Sequence, residues 1–246
     1  MLNNELRNDE SLDDLILGNM KVIQPREGYR FSLDAVLLAH FPAGNRIKQI
    51  VELGSGSGVV SLLTAWRAPL ARITALEVQP AMVERSRRSV VLNGLQERID
   101  IIEADIKETE KILPGGMAEL VLSNPPFWRK GEGKISQDPE EAVARHEIKL
   151  SLPELVEKGA YLLAPGGKLD IIHRAERLDE AMELFRVCKV PVRRLRFIHS
   201  FSDREARLVL IEGDKNPPGP LTVMPPLIIY EQVGVYGQEL RNIYGR

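Results

Sequence analysis

The stretch Ser-Asn-Pro-Pro-Phe-Trp-Arg-Lys at residues 123–130 directly follows an apolar run at 120–122. Two adjacent prolines remove two backbone donors and prevent both a sheet ladder and a helix from continuing. They predict a stiff turn that holds Asn124 and Phe127 in place. One interpretation is a connector in which proline only ends a strand. The other is a rigid pocket in which an amide oxygen and an aromatic ring meet a flat substrate that carries an amine.

A glycine-rich turn at Gly54, Gly56 and Gly58 follows another apolar run and precedes a helical pattern. Glycine lets a backbone turn tightly and approach a ligand, and the helix N-terminus presents free amides. A dinucleotide-binding fingerprint requires its third glycine at position 59, which is Val59 here. The pattern favours a cofactor with one nucleoside and a charged amino-acid tail. A plain tight turn is the alternative.

Two acids stand at the ends of the next two predicted strands, Glu77 and Asp105. Glu77 is placed to accept hydrogen bonds from two ribose hydroxyls, or else to cap the helix that begins at Pro80. Asp105 is placed to accept one from an adenine amino group, or else lies in a solvated loop. Open α/β sheets bind ligands at the carboxyl ends of their strands. Together with the glycine-rich turn, the two acids therefore predict a nucleoside-binding site.

Apolar runs that alternate with helical patterns surround these features. Strands are predicted at 47–53, 72–77, 99–104, 119–123 and 168–173, and helices at 59–67, 80–93, 150–163 and 175–188. Two further strands, 192–200 and 205–211, have no helix between them. This order predicts an α/β fold with a parallel sheet, helices on both faces and an antiparallel strand inserted at one edge.

The two ends of the chain differ in character from this centre. Residues 1–12 are predicted to fray, followed by a hairpin that pairs 20–24 with 28–32 and by a short buried helix over 33–41. Residues 213–226 are rich in proline and glycine, which predicts a tail on the same domain. The predicted organisation is an extension at 1–45, a main domain at 46–212 and a tail at 213–246.

The composition is ordinary for a globular protein, with 43% hydrophobic and 28% charged residues and a net charge of −2. That charge gives no general attraction to nucleic acid, so such a partner needs a local basic surface. The single cysteine, Cys188, excludes an internal disulfide and a cysteine cluster for zinc. No signal peptide or membrane-spanning run is evident, and we expect a cytoplasmic protein without a bound metal.

The motifs ELGSGSG, LEV, EADI and SNPPFW, in this order, resemble those of the Rossmann-like S-adenosylmethionine-dependent methyltransferases over about residues 47–211. The Asn-Pro-Pro-aromatic motif is similar to that of enzymes that methylate adenine N6 in nucleic acid or a glutamine amide in protein. The flanks at 28–39, 144–147 and 225–230 resemble the bacterial tRNA adenine-N6 methyltransferases, which modify adenine 37 of a valine tRNA. Phe127 stands where Tyr is common, so stacking is kept and a hydroxyl contact is lost.

The resemblance implies a seven-stranded sheet, an enzyme, and roles for particular residues. Asn124 and the Pro125 carbonyl would accept the two N–H groups of the amine, Phe127 would stack on the base, and Pro126 would stiffen the turn. The main domain would bind S-adenosylmethionine. The implied cofactor-binding residues are Glu52, Gly54, Ser55, Gly56, Gly58, Glu77, Asp105, Ile106 and Asn124.

The implied partner is a tRNA anticodon loop, because its unpaired bases can be splayed out into a pocket. The predicted substrate-binding residues, most of them cationic or aromatic, are Arg30, Trp128, Arg129, Lys130, Arg145, His146, Arg193 and Arg194. Residues 128–149 are predicted to form a loop that covers the substrate. A solvated charged surface is the alternative for the basic residues.

Two other functions stay open at this point. Glutamine N5 methylation of a protein such as a release factor would use the same turn. Those enzymes usually carry a helical N-terminal domain, for which residues 1–45 are too short. A non-catalytic module that binds RNA or the cofactor is not expected to keep the turn at 124–127 intact. No obligate protein partner is evident.

Overall fold

The computed structural model describes residues 6–28, 30–42, 44, 46–127, 150–215 and 219–245. The strands are β1 (Glu10–Asp14), β2 (Lys21–Pro25), β3 (Gln49–Leu53), β4 (Arg72–Glu77), β5 (Ile99–Glu103), β6 (Ala118–Ser123), β7 (Leu163–Arg174), β8 (Val192–His199), β9 (Ala206–Asp214), β10 (Thr222–Val223), β11 (Leu227–Ile228), β12 (Tyr230–Gln232) and β13 (Val235–Tyr236). The α-helices are α1 (Leu33–His40), α2 (Val59–Arg67), α3 (Pro80–Leu92), α4 (Thr109–Ile112), α5 (Leu152–Leu162), α6 (Leu178–Val187) and α7 (Gln238–Ile243).

The central sheet has the strand order β5-β4-β3-β6-β7-β9-β8, to which the short strands β10 and β11 add at the β8 edge. Neighbours from β5 to β7 are parallel, and β9 is antiparallel to both β7 and β8. The loop between β8 and β9 is too short for a crossover, so these two strands form a hairpin. The sheet confirms the predicted α/β fold and the antiparallel strand inserted near one edge.

The core lies in two layers, one on each face of the sheet. Helices α1, α2 and α3 contribute to one cluster of buried side chains, and α5 and α6 to the other. On β3, Ile50 belongs to the first cluster and Val51 to the second, as the alternation of side chains along a strand requires. Both faces are thus covered, which is why apolar residues follow one another at Ile50 and Val51 on β3 and at 120–122 on β6.

The N-terminal segment differs from the prediction. Strand β1 pairs antiparallel with β2, so the predicted fraying is wrong for residues 10–12, and the predicted pairing of 20–24 with 28–32 is wrong. The reason is tertiary. Glu10 on β1 is 1% exposed and forms an ion pair with Arg88 of α3. The Ile23 N–H of β2 donates to Ser89 Oγ of the same helix at 2.9 Å. A polar sequence is therefore ordered by a partner far along the chain.

Strand β7 begins five residues before the predicted strand, directly after α5. A Cβ on Gly167 would lie 2.8 Å from the carbonyl oxygen of Ala118 on the neighbouring strand β6. Glycine therefore allows the two backbones to approach within the sheet, where the sequence pattern indicated a turn. At the other end of β7, a 3₁₀ turn at Ala175–Arg177 delays α6 until Leu178.

The C-terminal segment packs along β8. Strands β10 and β11 pair with β8 in parallel, and the Ile229 and Tyr230 N–H groups donate to the His199 and Ser200 carbonyls, both at 2.9 Å. The proposed division at residues 45 and 212 stays a prediction, and β9 continues two residues beyond the second boundary. In the described ranges, no helix has the length and apolar character needed to cross a membrane.

Candidate active site

The glycine turn (residues 54–58) connects β3 to α2 and is fixed to the neighbouring strand. Gly54, Gly56 and Gly58 have φ angles of +76°, +53° and +81°, which favour glycine. The Gly54 N–H donates to the Leu76 carbonyl on β4 at 2.9 Å. A Cβ at Gly58 would lie 3.1 Å from Ser86 Cβ on α3. The turn therefore sets the start of α2 close against α3.

Glu77 ends β4 and binds the same turn. Its Oε2 accepts the Gly56 N–H at 2.8 Å, and its Oε1 accepts the Gln79 N–H at 2.9 Å, just before α3 begins. The carboxylate therefore caps the approach to α3, as one sequence interpretation predicts, while its role toward ribose hydroxyls stays a prediction. Asp105, after β5, accepts the Lys107 N–H at 2.9 Å and caps a 3₁₀ turn at Ile106–Glu108.

These strand ends open on one cavity, which we call the cofactor cavity. Its lining includes all but one of the predicted cofactor-binding residues, namely Glu52, Gly54, Ser55, Gly56, Glu77, Asp105, Ile106 and Asn124. Gly58 is the exception. It does not line the cavity, and a Cβ at this position would instead face Ser86 on α3. The sequence analysis did not identify the apolar wall, which includes Phe31, Ala35, Val78, Met82 and Leu150. Single apolar residues at such positions give no local signal that separates a cavity wall from core.

The cavity suits a ligand that is part flat and apolar and part polar. The hydroxyl of Ser55, a residue 6% exposed, is buried without a hydrogen-bond partner among the described residues. A buried hydroxyl of this kind is costly unless something satisfies it. A ligand with a carboxylate next to the glycine turn would do so, while the apolar wall would cover a nucleoside base. The residues present therefore fit a nucleoside cofactor that carries an amino acid.

Glu52 gives the cavity an unusual acid. The side chain is 1% exposed, and Ser61 Oγ donates a hydrogen bond to its Oε2. Burial, reinforced by the nearby Glu77 carboxylate, raises the pKa of Glu52 to about 8. The carboxyl is therefore mostly protonated at neutral pH. A bound cation next to it would favour the ionised form.

The NPPF turn (residues 124–127) stands at the border of two depressions. It follows β6, and the preceding Ser123 Oγ donates to the Leu53 carbonyl at the end of β3, at 2.7 Å. Asn124, Pro125 and Pro126 line the cofactor cavity. Phe127 instead lines a neighbouring groove. The turn thus separates the cofactor cavity from a second surface.

His173 packs behind this turn. Its ring lies 5.8 Å from the Phe127 ring at an interplanar angle of 60°, and the side chain is fully buried. The Nδ1 atom accepts the Arg174 N–H at 2.9 Å. Burial, aided by the Arg177 guanidinium, lowers the pKa of His173 to about 4. The imidazole is therefore neutral at pH 7 and supports the ring of Phe127.

The second depression, the aromatic groove, lies at the carboxyl ends of β7 and β8. Phenylalanine and arginine side chains form much of it, including Phe127, Arg174, Phe197, Phe201, Arg204 and Arg207. The candidate site residues chosen from the sequence did not include Arg174, Phe197 or Phe201. These residues could have been predicted only from the topology of the sheet, because the hairpin of β8 and β9 brings its loop to the carboxyl ends of β7 and β8.

Three predicted substrate-binding residues lie away from both depressions. Arg30 donates to Ser11 Oγ at 3.0 Å and forms an ion pair with Asp13, both on β1. Arg193 on β8 donates to the Gly219 carbonyl at 2.6 Å.

Arg194, also on β8, is the third of these residues. It pairs with Glu212 of β9, and its guanidinium lies 4.2 Å from the centre of the Phe41 ring. The structure thus ties all three arginines to other parts of the fold. Trp128, Arg129, Lys130, Arg145, His146 and the predicted loop 128–149 lie outside the described residues.

Comparisons with known proteins agree with this geometry. The chain is 28% identical over 223 residues to a tRNA1(Val) (adenine(37)-N6)-methyltransferase of Porphyromonas gingivalis, with 85% of each chain covered. A protein of the same name from Vibrio cholerae is 29% identical over 220 residues, covering 88% of this chain and 89% of its own.

Among solved structures, a predicted O-methyltransferase from Agrobacterium tumefaciens superposes with a TM-score of 0.69 at 23% identity, covering 86% of this chain and 95% of its own. A SAM-dependent methyltransferase from the same organism gives a TM-score of 0.59 at 18% identity, covering 86% and 72%. These likenesses show the fold. The family model described as the methyltransferase small domain matches residues 33–198, which include the glycine turn, both acids and the NPPF turn. The chain therefore belongs to the methyltransferase small domain family.

Proposed function

We propose that this protein transfers a methyl group from S-adenosylmethionine to N6 of an adenine in tRNA, namely adenine 37 of a valine tRNA. The observation that carries the proposal is the position of the NPPF turn. Its first three residues line the cofactor cavity, and Phe127 lines the groove next to it. A methyl donor and a flat acceptor would meet at this border. The names of the relatives from Porphyromonas gingivalis and Vibrio cholerae support adenine 37 of this tRNA as the target.

The cofactor cavity offers complementary groups for each part of the cofactor. When bound, S-adenosylmethionine supplies an electrophilic methyl group on a sulfonium. Ser55 Oγ, which has no hydrogen-bond partner among the described residues, would bind its carboxylate, and Glu77 the ribose hydroxyls. Asp105 would accept a hydrogen bond from the adenine amino group. Glu52, buried beside Glu77, would favour the positive charge of the ligand.

The target amine demands positioning more than a base. The exocyclic nitrogen of adenine is a poor nucleophile, because its lone pair is delocalised into the ring. The Asn124 side-chain oxygen and the Pro125 carbonyl would accept its two N–H groups and direct the lone pair toward the methyl group. The two prolines and the Ser123 to Leu53 hydrogen bond keep these acceptors in place before substrate arrives. Little reorganisation is then needed at the moment of reaction.

Phe127 would fix the plane of the target base by stacking, a contact that contributes about 1–3 kcal/mol per base. Neutral His173 behind it holds the ring without adding a charge to the site. As the N–C bond forms and the S–C bond breaks, S-adenosylhomocysteine would be released and the N6 nitrogen would lose one proton to water. The proposal requires no nucleophilic side chain and no covalent intermediate with the protein.

The direct test is methyl transfer from radiolabelled S-adenosylmethionine into separate pools of unmodified tRNA, release factor and duplex DNA. Label recovered from tRNA as N6-methyladenosine, and mapped to position 37, is the expected result. Label recovered from protein as methylglutamine would keep the mechanism and overturn the substrate. Absence of label, with the cofactor still bound, would favour a non-catalytic binding module. An Asn124→Ala variant is the matched control for background transfer.

A further inference from the structure

The loop between β8 and β9 presents an aromatic ring to the groove beside the NPPF turn. Phe201 lines the groove together with Phe127, although 74 residues separate them in the chain. The loop is held by hydrogen bonds, with the Arg204 N–H donating to the Phe201 carbonyl at 3.1 Å. His199 Nδ1 lies 2.7 Å from the Arg204 carbonyl oxygen. The groove therefore has, in addition to Phe127 and Phe197, the ring of Phe201 on a backbone that is fixed by hydrogen bonds.

A ladder of tyrosines from the C-terminal segment supports this ring. Tyr230 lies 5.6 Å from Phe201 between ring centres, Tyr236 lies 5.4 Å from Tyr230, and Tyr244 lies 6.0 Å from Tyr236. The last two pairs are stacked, at 21° and 19°. The Tyr230 N–H also donates to the Ser200 carbonyl at 2.9 Å. The segment after β9 thus holds Phe201 in position at the groove.

The charged side chains of the groove limit the class of ligand that it can bind. Three acids, Glu176, Asp203 and Glu205, line it together with the three arginines. Arg174 pairs with Glu176 at 2.7 Å, and Arg204 lies 3.8 Å from Asp203. Arg207 is exposed and has no ion pair within the part of the chain that the structure describes. The groove is thus not a general anion-binding surface, but it offers the rings of Phe127, Phe197 and Phe201 and, in Arg207, a cation without an ion pair among the described residues.

We propose that the aromatic groove binds a nucleotide directly adjacent to the target adenine, with its base on Phe201 and its phosphate at Arg207. This inference rests on the proposed function, since it assigns a further contact to the same RNA substrate. A ring and a guanidinium that line the same groove match the base and phosphate of one nucleotide. The continuity of the groove with Phe127 places this nucleotide next to the target. A glutamine side chain would need neither group.

The first experiment measures the affinity of the full-length protein for a fluorescein-labelled anticodon stem-loop RNA. Phe201→Leu keeps an apolar side chain against Tyr230 but removes the ring, and should weaken binding by roughly 5- to 100-fold, whereas Phe201→Trp should bind within about threefold of the wild type. Cofactor binding should be unchanged in both variants. An unchanged affinity for Phe201→Leu would overturn the inference.

A second readout reports stacking itself, which a purely structural role of Phe201 would not change. 2-Aminopurine is placed at nucleotide 36 in one RNA and at nucleotide 38 in another. One of the two should change its fluorescence on binding to the wild type and to Phe201→Trp, but not on binding to Phe201→Leu. The same signal from all three proteins, or none from the wild type, would contradict the assignment of a stacked neighbour.

The phosphate contact is tested through salt. Arg207→Gln should reduce the slope of log Kd against log salt concentration by about one. Arg186→Gln is the matched control. Arg186 is exposed and lies near the end of α6, away from the carboxyl ends of β7 and β8 where the groove lies. If Phe201→Leu does not fold, the salt dependence of Arg207→Gln alone tests the inference. A slope equal to that of the wild type would overturn it.

The two levels of the proposal fail in different ways. If the wild type transfers no methyl group to tRNA, the proposed function is wrong. If it methylates tRNA while Phe201→Leu and Arg207→Gln bind the stem-loop normally, only the groove is misassigned. If Phe201→Leu loses binding to release factor and keeps binding to RNA, the groove is a protein-binding surface.

Discussion

Asn124 is the residue closest to the proposed chemistry. It lines the cofactor cavity, and it follows a serine whose hydroxyl is hydrogen-bonded to the end of β3. Its side chain is the one amide in the NPPF turn. Its main role in the proposal is toward the substrate amine, although it also borders the cofactor. Turnover and cofactor affinity should therefore respond differently to its removal.

We expect Asn124→Ala to lower kcat by roughly 100-fold or more, the usual effect of losing one positioned hydrogen-bonding group at a reacting centre. The cofactor affinity should change little. Single-turnover methylation of tRNA and calorimetric titration of the cofactor measure the two effects. Asn124→Asp retains an acceptor oxygen and should keep more activity than the alanine variant. A loss of cofactor affinity as large as the loss of turnover would show that the residue is a cofactor ligand.

Glu52 makes stability depend on pH. Because its folded-state pKa of about 8 lies above its ordinary value of 4.5, the fold favours the protonated acid. Its contribution to stability is complete below about pH 4.5 and is lost as the pH rises to about 8. Each pH unit in this window corresponds to at most about 1.4 kcal/mol.

Glu52→Gln removes that titration. The difference in free energy of unfolding between the wild type and this variant should fall steadily from pH 5 to pH 8 and then level off. Urea unfolding at one-unit intervals of pH, without ligand, measures the difference. A constant difference across the range would mean that Glu52 is ionised in the folded protein.

At the scale of elements, the glycine turn limits which substitutions are tolerated where α2 begins next to α3. Gly58 and Gly94 both have positive φ angles, +81° and +67°. They differ in surroundings, since a Cβ at Gly58 would meet Ser86, while a Cβ at Gly94 would meet nothing within 4 Å. This pair separates backbone strain from steric contact.

Gly94→Ala should cost about 1–2 kcal/mol of unfolding free energy, the strain of a left-handed residue with a side chain. Gly58→Ala should cost more and should also weaken cofactor binding, because Ser86 or the glycine turn must shift. Urea unfolding and cofactor titration of both variants measure this. Equal costs, with equal cofactor affinity, would show that the turn relaxes without effect on the cavity.

The sequence predicts elements well where their signal is local. Helix α2 and strand β4 begin and end at the predicted residues, since apolar runs and turn residues delimit them. The topology then brings Glu77, Asp105 and Asn124 together, because each follows a parallel strand. The N-terminal hairpin could not be predicted this way. Its order depends on Arg88, 78 residues after Glu10.

The basic residues show the same limit. Arg194 looks like a candidate for RNA binding in the sequence, yet it pairs with Glu212 on the adjacent strand. Arg207, on the same hairpin, lies at the carboxyl edge and lines the groove. The sequence shows both residues only as cations. The strand register shows which of them is paired and which lines the groove.

At the scale of the whole molecule, buried polar contacts join the hairpin of β1 and β2 to α3. Glu10 and Arg88 each have a side chain only 1% exposed, and the Lys21 N–H donates to Asn93 Oδ1 at 2.9 Å. Arg88 also pairs with Glu84 of α3 at 2.8 Å, so removing Glu10 leaves this buried guanidinium with one carboxylate instead of two. The hairpin is therefore expected to contribute to the stability of the entire domain.

Glu10→Ala should lower the free energy of unfolding by about 1.5–3 kcal/mol, the contribution of hydrogen bonds to a charged group, because Arg88 keeps its ion pair with Glu84. Arg7→Gln is the matched control, because its ion pair with Glu84 on α3 is 60% and 30% exposed and should contribute no more than about 1 kcal/mol. Urea unfolding measures both. A small loss for Glu10→Ala would mean that water or Glu84 compensates Arg88.

The position of β9 between β7 and β8 has a consequence for synthesis on the ribosome. Strands β3 to β7 can pair as they emerge, but β7 keeps one edge open until β9 is made, at residues 206–214. Its Leu169 and Ile171 are fully buried in the finished fold. An open, apolar strand edge is prone to pair with other chains. The edge of β7 therefore stays unpaired while about 40 residues are made, from the end of β7 to the end of β9. During this interval the nascent protein avoids pairing with other chains through chaperones or through rapid synthesis and folding.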